Sequence, residues 1–410
     1  GRRRTSPRTS RRASTTSSTR LEPGDDGSGR HVYNHRVTLS PTLLRRFAIM
    51  LGLILAGETI FALPFHVARF FRPIMLDVFG LSATELGVAQ GVYGVVAMIA
   101  YFPGGPIADR FPARRLLASS LWITAVGGIY LATFPPYAGM LLLWGIFAVT
   151  SILLFWAALI RATRDWGGVD EQGRAYGILD SGRGILAAGM ASLGVLALSI
   201  TFPDGYAQAD AATRAHGLRL VIYGYTAMTA LAGTLVWFAI PDRMPTPDGG
   251  VVRPTGESAV SHVLAVLRMP AIWMQAAIVF CAYVAYKGFD NYSLFAVQGY
   301  GLDEVEAARV VTIGSWMRPV AALAAGLLGD RFTISRMTVV AFVMLLASDL
   351  FFAFTTPIPG AAAILLGNIL IACAAFFGLR GLYFALFEEA KIPAAMTGTA
   401  VGIVCMIGFI

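Results

Sequence analysis

Nine ionisable side chains inside long apolar runs of this sequence are candidates for chemistry. Glu58, His66 and Arg69 lie in the first run, and Asp180 and Arg183 in the fifth. Lys287 and Asp290 lie in the seventh, Arg318 in the eighth and Arg380 in the tenth. A charge in a hydrocarbon layer is costly. It marks an ion or substrate path unless a partner neutralises it. The bases His66, Arg69, Lys287, Arg318 and Arg380 are suited to holding an anion. Glu58 has no cationic neighbour at helical spacing. A carboxyl so placed in a low dielectric is suited to carrying a proton, and Glu58 and Asp290 are the expected coupling groups. Asp180 and Arg183 stand three residues apart and are expected to form an ion pair on one helix face. For His66 a bond to a local carbonyl, and for Lys287 a pair with Asp290, stay open beside the substrate role. Buried pairing stays open for Arg318 and Arg380.

The elements that carry these residues must be membrane helices. The chain has 410 residues, of which 56% are hydrophobic and only 14% charged. A soluble domain carries about 25% charged residues. Mean hydropathy is +0.65. The net charge of +8 misleads, because residues 1–20 contain seven Arg and no acid. The remainder is close to neutral, so no nucleic-acid partner is expected. Cys281, Cys373 and Cys405 sit in apolar runs without metal-ligand spacing and read as packing residues. No metal and no cofactor is expected, and no G-x-x-x-x-G-K-[ST] loop is present for a nucleotide.

Residues 1–41 form a basic tail rich in Arg, Ser and Thr, expected to be disordered. It reads as a transit peptide or as a start foreign to the protein, the first Met being Met50. Eleven spans follow, at 46–78, 84–108, 115–134, 137–160, 174–201, 217–240, 270–299, 303–328, 337–355, 359–387 and 394–410. Each crossing takes about 20 residues. The first and seventh are overlong, which suits tilted or broken helices. The expected organisation is an N-terminal six-helix bundle at 42–240, a linker at 241–268, and a C-terminal bundle at 269–410. The last is expected to be incomplete, with about five spans. The basic loops around Arg110–Arg115, Arg161–Arg174, Arg243–Arg268, Arg331–Arg336 and Lys391 fall on one side. By the positive-inside rule that side, with the N-terminus, is cytoplasmic.

An internal repeat orders the chain. Gly105-Pro-Ile-Ala-Asp109-Arg110-Phe-Pro-Ala-Arg114-Arg115 recurs as Gly326-Leu-Leu-Gly-Asp330-Arg331-Phe-Thr-Ile-Ser-Arg336, at an offset of 221 residues. Gly80-Leu81 matches Gly301-Leu302 and Glu85 matches Glu306 at the same offset. His66 matches Lys287. A polar motif repeated at half-chain distance between membrane-length runs signals an internally duplicated membrane protein. Arg318 lies 12 residues before Asp330, roughly 18 Å along a helix and near the midplane.

The repeated loop resembles the G-x-x-x-D-R-x-G-x-R-R signature of the major facilitator superfamily. Pro112 stands where the family usually has Gly, and Thr333 stands there in the second copy. The resemblance covers roughly residues 42–410. It implies an all-α membrane protein with two pseudo-symmetric six-helix bundles. It implies a gating role for Asp109, Arg110, Arg114, Arg115, Asp330, Arg331 and Arg336; a plain basic anchor is the alternative. It also places the first and seventh spans across a central cavity, where His66 and Lys287 would clamp one anion. The organophosphate/phosphate antiporters have an Arg pair at what looks like this place, so bidentate phosphate recognition is in doubt with His and Lys. The runs Phe155-Trp-Ala-Ala-Leu-Ile-Arg-Ala-Thr-Arg, Glu171-Gln-Gly-Arg-Ala-Tyr-Gly-Ile-Leu-Asp-Ser-Gly-Arg and Arg380-Gly-Leu-Tyr-Phe-Ala-Leu-Phe-Glu-Glu-Ala-Lys-Ile-Pro resemble the YihN-like branch, bacterial inner-membrane transporters.

The expected function is secondary transport of a small organic anion, a phosphate, sulfonate or carboxylate metabolite, by alternating access. The expected partners are that substrate, a proton or counter-anion and the lipid bilayer, with the chain a monomer. A proton-coupled carrier of a neutral sugar or drug is the first alternative. A non-transporting receptor or scaffold is the second. An enzyme is not expected.

Overall fold

In lipid the backbone must satisfy its own hydrogen bonds, which leaves helices for a chain of this composition. The computed structural model describes residues 41–167, 172–242, 264–383, 385–390 and 397–408, and among these every regular element is helical. The basic tail and most of the expected linker, 243–263, lie outside the described residues.

The first half runs α1 (Pro41–Thr59), α2 (Val67–Phe70), α3 (Arg72–Phe79), α4 (Ala83–Arg110), α5 (Ala113–Leu131), α6 (Tyr137–Ala148), α7 (Ala157–Gly167), α8 (Gln172–Thr201) and α9 (Ala211–Ala239). The second runs α10 (Pro270–Gly288), α11 (Tyr292–Tyr300), α12 (Glu304–Ser315), α13 (Met317–Phe332), α14 (Ile334–Phe354), α15 (Ala362–Leu382), α16 (Leu386–Glu389) and α17 (Thr397–Gly408). Nine of the described stretches are long and apolar enough to cross a membrane. The two other expected spans are helical but fall outside that set. α5 opens on Arg114 and Arg115, and α17 has only 12 residues. Phe238 is 81% and Phe354 84% exposed, as a lipid-facing surface requires.

The two overlong spans are broken, each beside the charged residues. In the first, a π-helical turn at Ala62–His66 contains Pro64, which has no N–H to give, so the ladder widens and Val67 N–H reaches back to Ala62 O. A second break at Phe71 separates α2 from α3. In the seventh, a 3-10 turn at Phe289–Asn291 separates α10 from α11.

The repeat is visible in the backbone. α3 ends on Gly80 at φ +63° and α11 on Gly301 at φ +66°, the left-handed cap that glycine adopts without steric cost. The next helices are capped at equivalent positions. The Ser82 hydroxyl accepts from Glu85 N–H in a capping box, and the Asp303 carboxylate accepts from Val305 N–H. The two signature loops diverge where Gly is usual. Pro112 takes φ −58°, whereas Thr333 is held at φ +92°, a strained setting for a β-branched residue.

Polar contacts distinguish the two ends. At the end bearing the signature loops they stay within one half among the described residues. Arg114 Nη2 donates to Asp242 at 2.6 Å, Arg161 donates to Ala108 O, and Ile334 and Ser335 N–H donate to Glu389. At the opposite end one bond crosses between halves, and a second from the same residue stays within the first half. Tyr206 N–H donates to Asp303 Oδ2 at 2.8 Å, while its hydroxyl donates to Asp77 Oδ2 at 2.6 Å.

Candidate functional site

Two buried carboxylates, one from each half, organise the middle of the molecule. Glu58 near the end of α1 is 3% exposed. Arg183 Nε of α8 donates to its Oε2 at 3.0 Å, and Arg318 Nη1 of α13 to its Oε1 at 3.4 Å. His66 Nε2 lies 3.2 Å from Oε1. The widened turn carries the chain from α1 back to this carboxylate at His66. Arg318 also donates through Nη2 to Asp180 Oδ1 at 2.8 Å.

Asp290, in the break between α10 and α11, is the second centre. It pairs with Arg69 of α2 and with Lys287 one turn before it. Arg69 Nη1 donates to the Tyr286 hydroxyl at 2.8 Å, and Arg380 stands 4.7 Å from the Tyr286 ring centroid. Ser293 Oγ donates to Arg69 O at 2.9 Å and fixes the backbone that carries the guanidinium.

The arrangement corrects two expectations. Asp180 and Arg183 do not pair with each other. Asp180 takes Arg318 and Arg183 takes Glu58, both on other helices. Glu58 is not an isolated carboxyl either, since three basic groups surround it. The Lys287–Asp290 pair is made. His66 bonds to Glu58 through Nε2, while its Nδ1 is buried without a partner.

Among the described side chains, those of the signature loops make no ion pair with this cluster. The side chains of Asp109 and Asp330 lie outside the described residues. Arg110, Arg115, Arg331 and Arg336 are exposed, and among the described side chains of the set Arg114 makes an ion pair, with Asp242.

Sequence reasoning missed four contributors. Tyr286 takes part through a hydroxyl and a ring face. Arg72, at the start of α3, is buried. Gly57 and Gly184 provide room: a Cβ at Gly57 would stand 3.1 Å from Arg183 Cδ, and one at Gly184 3.2 Å from Arg318 Cδ and Cγ. The cluster therefore holds six permanent cations, Arg69, Arg72, Arg183, Lys287, Arg318 and Arg380, against three carboxylates, Glu58, Asp180 and Asp290. Among the described residues no carboxylate pairs with Arg72 or Arg380, and no group of His, Cys, Asp and Glu has metal-site geometry.

Two repeated halves of membrane-length helices, meeting across a buried charge cluster, define a polytopic membrane carrier. The chain belongs to the major facilitator superfamily, whose profile matches residues 45–410. It is thus a member of a transporter family and not an enzyme. It is 29% identical to the inner membrane protein YqcE of Escherichia coli K12 over 340 residues, covering 82% of this chain and 78% of that one. It is 26% identical to the inner membrane protein YihN of the same organism, over 89% of this chain and 85% of that one. The probable nitrate/nitrite transporter NarK2 of Mycobacterium tuberculosis is 26% identical over 80% of this chain and 77% of its own. Among solved structures, a bacterial homologue of the lysosomal transporter Spinster superposes with a TM-score of 0.62 at 18% identity, covering 89% and 80% of the two chains. The nucleoside transporter NupG gives 0.64 at 14% identity, covering 89% and 88%. The chain is an integral, multi-pass protein of the bacterial inner-membrane type.

Proposed function

We propose that this carrier moves a small organic anion by alternating access, with the two charge centres as the substrate and coupling site. The observation that carries this reading is the excess of cations over carboxylates in a buried site. Uncompensated charge in a low dielectric is expensive, and an anionic cargo relieves it. Arg380, over the Tyr286 ring, and Lys287, bonded to Asp290 and beside the Phe65 ring, are the groups able to meet that cargo. Arg69, His66 and Arg318 position it through the carboxylates they already hold. The nitrate/nitrite transporter named above, a carrier of anions by its name, supports the same class.

In this reading residues 42–240 and 269–410 are the two rocking halves, joined through 241–268, and the chain works as a monomer. The end bearing Arg110–Arg115 is cytoplasmic, as is the N-terminus. Asp109, Arg110, Arg114, Arg115, Asp330, Arg331 and Arg336 latch that end in the opposite state of the cycle. The contact of Tyr206 with Asp303 closes the other end in this one. Glu58 and Asp290 exchange their arginine partners during turnover, which couples a proton or counter-anion to the cargo. A proton-coupled carrier of a neutral sugar or drug is the second reading. Its support is that Arg69, Arg183, Lys287 and Arg318 all have carboxylate partners.

A thermal-shift panel on the full chain in detergent separates the two. Phosphorylated, sulfonated and carboxylated metabolites are compared with their neutral parents, on the wild type and on Lys287→Ala. A ligand of the folded state at a hundred times its Kd adds about 2.7 kcal/mol of stability, which is readily seen as a rise in Tm. The expected result is stabilisation by anions alone, lost in Lys287→Ala. Equal stabilisation by neutral parents overturns the anion reading in favour of the neutral cargo.

A further inference from the structure

The pseudo-two-fold axis can be traced residue by residue. An open cleft of about 500 Å³ lies at the Tyr206 end, lined by Pro73, Leu76 and Asp77 from α3 and by Leu294, Val297 and Gln298 from α11. Each of these pairs is separated by the repeat offset of 221 residues, so the cleft lies on the axis. Next along both chains come Arg72 and its equivalent, Ser293. One turn further in come Arg69 and its equivalent, Asp290, which bond to each other across the axis. His66 and its equivalent, Lys287, follow. Arg72 therefore stands between the cleft and the Arg69–Asp290 pair.

Its condition there is unusual. The residue is 4% exposed, and its Nε and Nη1 are buried without any hydrogen-bond partner. Asp290, whose charge acts on it, already pairs with both Arg69 and Lys287. Three cations thus share one carboxylate, which leaves two positive charges on the axis. A buried guanidinium with two unused donors is costly unless a ligand fills them. Arginine presents those donors as a planar fork, which matches phosphate geometry.

We propose that Arg72 makes this site selective for a doubly charged headgroup, such as a phosphate monoester, by supplying the second charge that the cargo requires. The inference rests on the anion-carrier reading and names the charge of that cargo. Lys287 and Arg69 neutralise one negative charge each time Asp290 releases one of them, and Arg72 neutralises the other. A singly charged sulfonate or carboxylate leaves Arg72 unpaired and binds more weakly.

The test compares three probes that share one ring. Phenyl phosphate is doubly charged above a pH of about 6, where its second proton leaves. Benzenesulfonate is singly charged and benzyl alcohol is neutral. Thermal shift is measured on the full chain in detergent at pH 7.5 for the wild type, Arg72→Gln and Arg72→Lys. In the wild type, phenyl phosphate stabilises at lower concentration than benzenesulfonate, and its advantage fades as pH falls below about 6. In Arg72→Gln its apparent affinity falls by about tenfold to a hundredfold, the loss of a charged hydrogen-bonding partner, to the level of benzenesulfonate. The ligand-free Tm of Arg72→Gln rises, because an unpaired buried charge has gone. Arg72→Lys recovers part of the preference. A lower ligand-free Tm with both anions weakened equally shows a structural role and overturns the proposal. So does a preference for phenyl phosphate that survives Arg72→Gln, or a wild type that treats the two anions alike. A wild type that responds to benzyl alcohol and to neither anion overturns the anion-carrier reading itself.

Discussion

The two carboxylate centres follow one plan with different geometry. Glu58 of the first half takes Arg183 and His66 from its own half and Arg318 from the other. Asp290 of the second half takes Lys287 from its own half and Arg69 from the other. Each half thus holds a carboxylate bonded to a base of the other half, and Asp180 of the first half shares Arg318 with Glu58. The difference lies in the repeat. Arg69 and Asp290 are equivalent positions, so the pair spans the axis directly. Glu58 is equivalent to Val279, and Arg318 to Ala97. On a two-fold axis equivalent residues face each other, and opposite charges at one register neutralise themselves. Away from the axis a partner must be brought in from another helix, through gaps such as those at Gly57 and Gly184.

The largest expected effect follows at the off-axis centre. Glu58→Gln leaves Arg183 and Arg318 without their shared carboxylate, and His66 without its acceptor. Breaking a buried pair costs about 3–5 kcal/mol, because the remaining charge is uncompensated. A steep fall in the Tm of the ligand-free protein is expected. Asp290→Asn should fall less far, because the Lys287 side chain is 31% exposed and reaches solvent. If Asp290→Asn melts lower than Glu58→Gln, the ranking of the two centres is wrong.

Charge exchange probes the axis itself. Arg69→Asp and Asp290→Arg are each expected to cost about as much as Glu58→Gln, and together to recover most of that loss, because Lys287, 31% exposed, can turn from the new arginine to solvent. Residues in direct contact show coupling of about 0.5–3 kcal/mol. The same exchange between Glu58 and Arg318 should recover little. Arg183 and Asp180 would then each face a like charge, since both bond to the residues exchanged. Tm values of the four single and two double variants decide this. Equal recovery in both exchanges would remove the distinction between on-axis and off-axis pairing.

The sequence carried the frame of this site more fully than its wiring. An unbroken offset of 221 residues exposed the repeat, because duplication preserves register along a helix. It also marked His66 and Lys287 as equivalents. The length of the first and seventh runs announced the breaks that Pro64 and the Phe289–Asn291 turn produce. Partner choice was legible for Lys287 and Asp290, one turn apart, and not for the pairs made between helices. Spacing of three favoured Asp180 with Arg183, but the structure hands each to a different helix, and only interhelical packing decides that. Arg72 escaped notice because a cation near the end of a run reads as an ordinary flank. Its burial depends on α11 lying against α3. Tyr286 was one aromatic among many, with no linear sign that its hydroxyl and ring face would both be used.

The smallest expected change in stability separates structure from cargo binding. Lys287 reaches Asp290 across one turn and stands 4.8 Å from the Phe65 ring centroid. Its partial exposure screens the pair, so Lys287→Gln should cost about 1 kcal/mol or less. Arg318→Gln strips both Glu58 and Asp180 of a partner that is 8% exposed, and should cost about 3–5 kcal/mol. Yet Lys287, with its flexible stem and one free side, is the base best placed to leave Asp290 and follow an anion. Lys287→Gln should therefore melt close to the wild type and still lose the anion-induced rise in Tm. A variant that melts normally and keeps that rise would assign Lys287 to neither the frame nor the cargo, and would leave Arg380 as the base facing Tyr286.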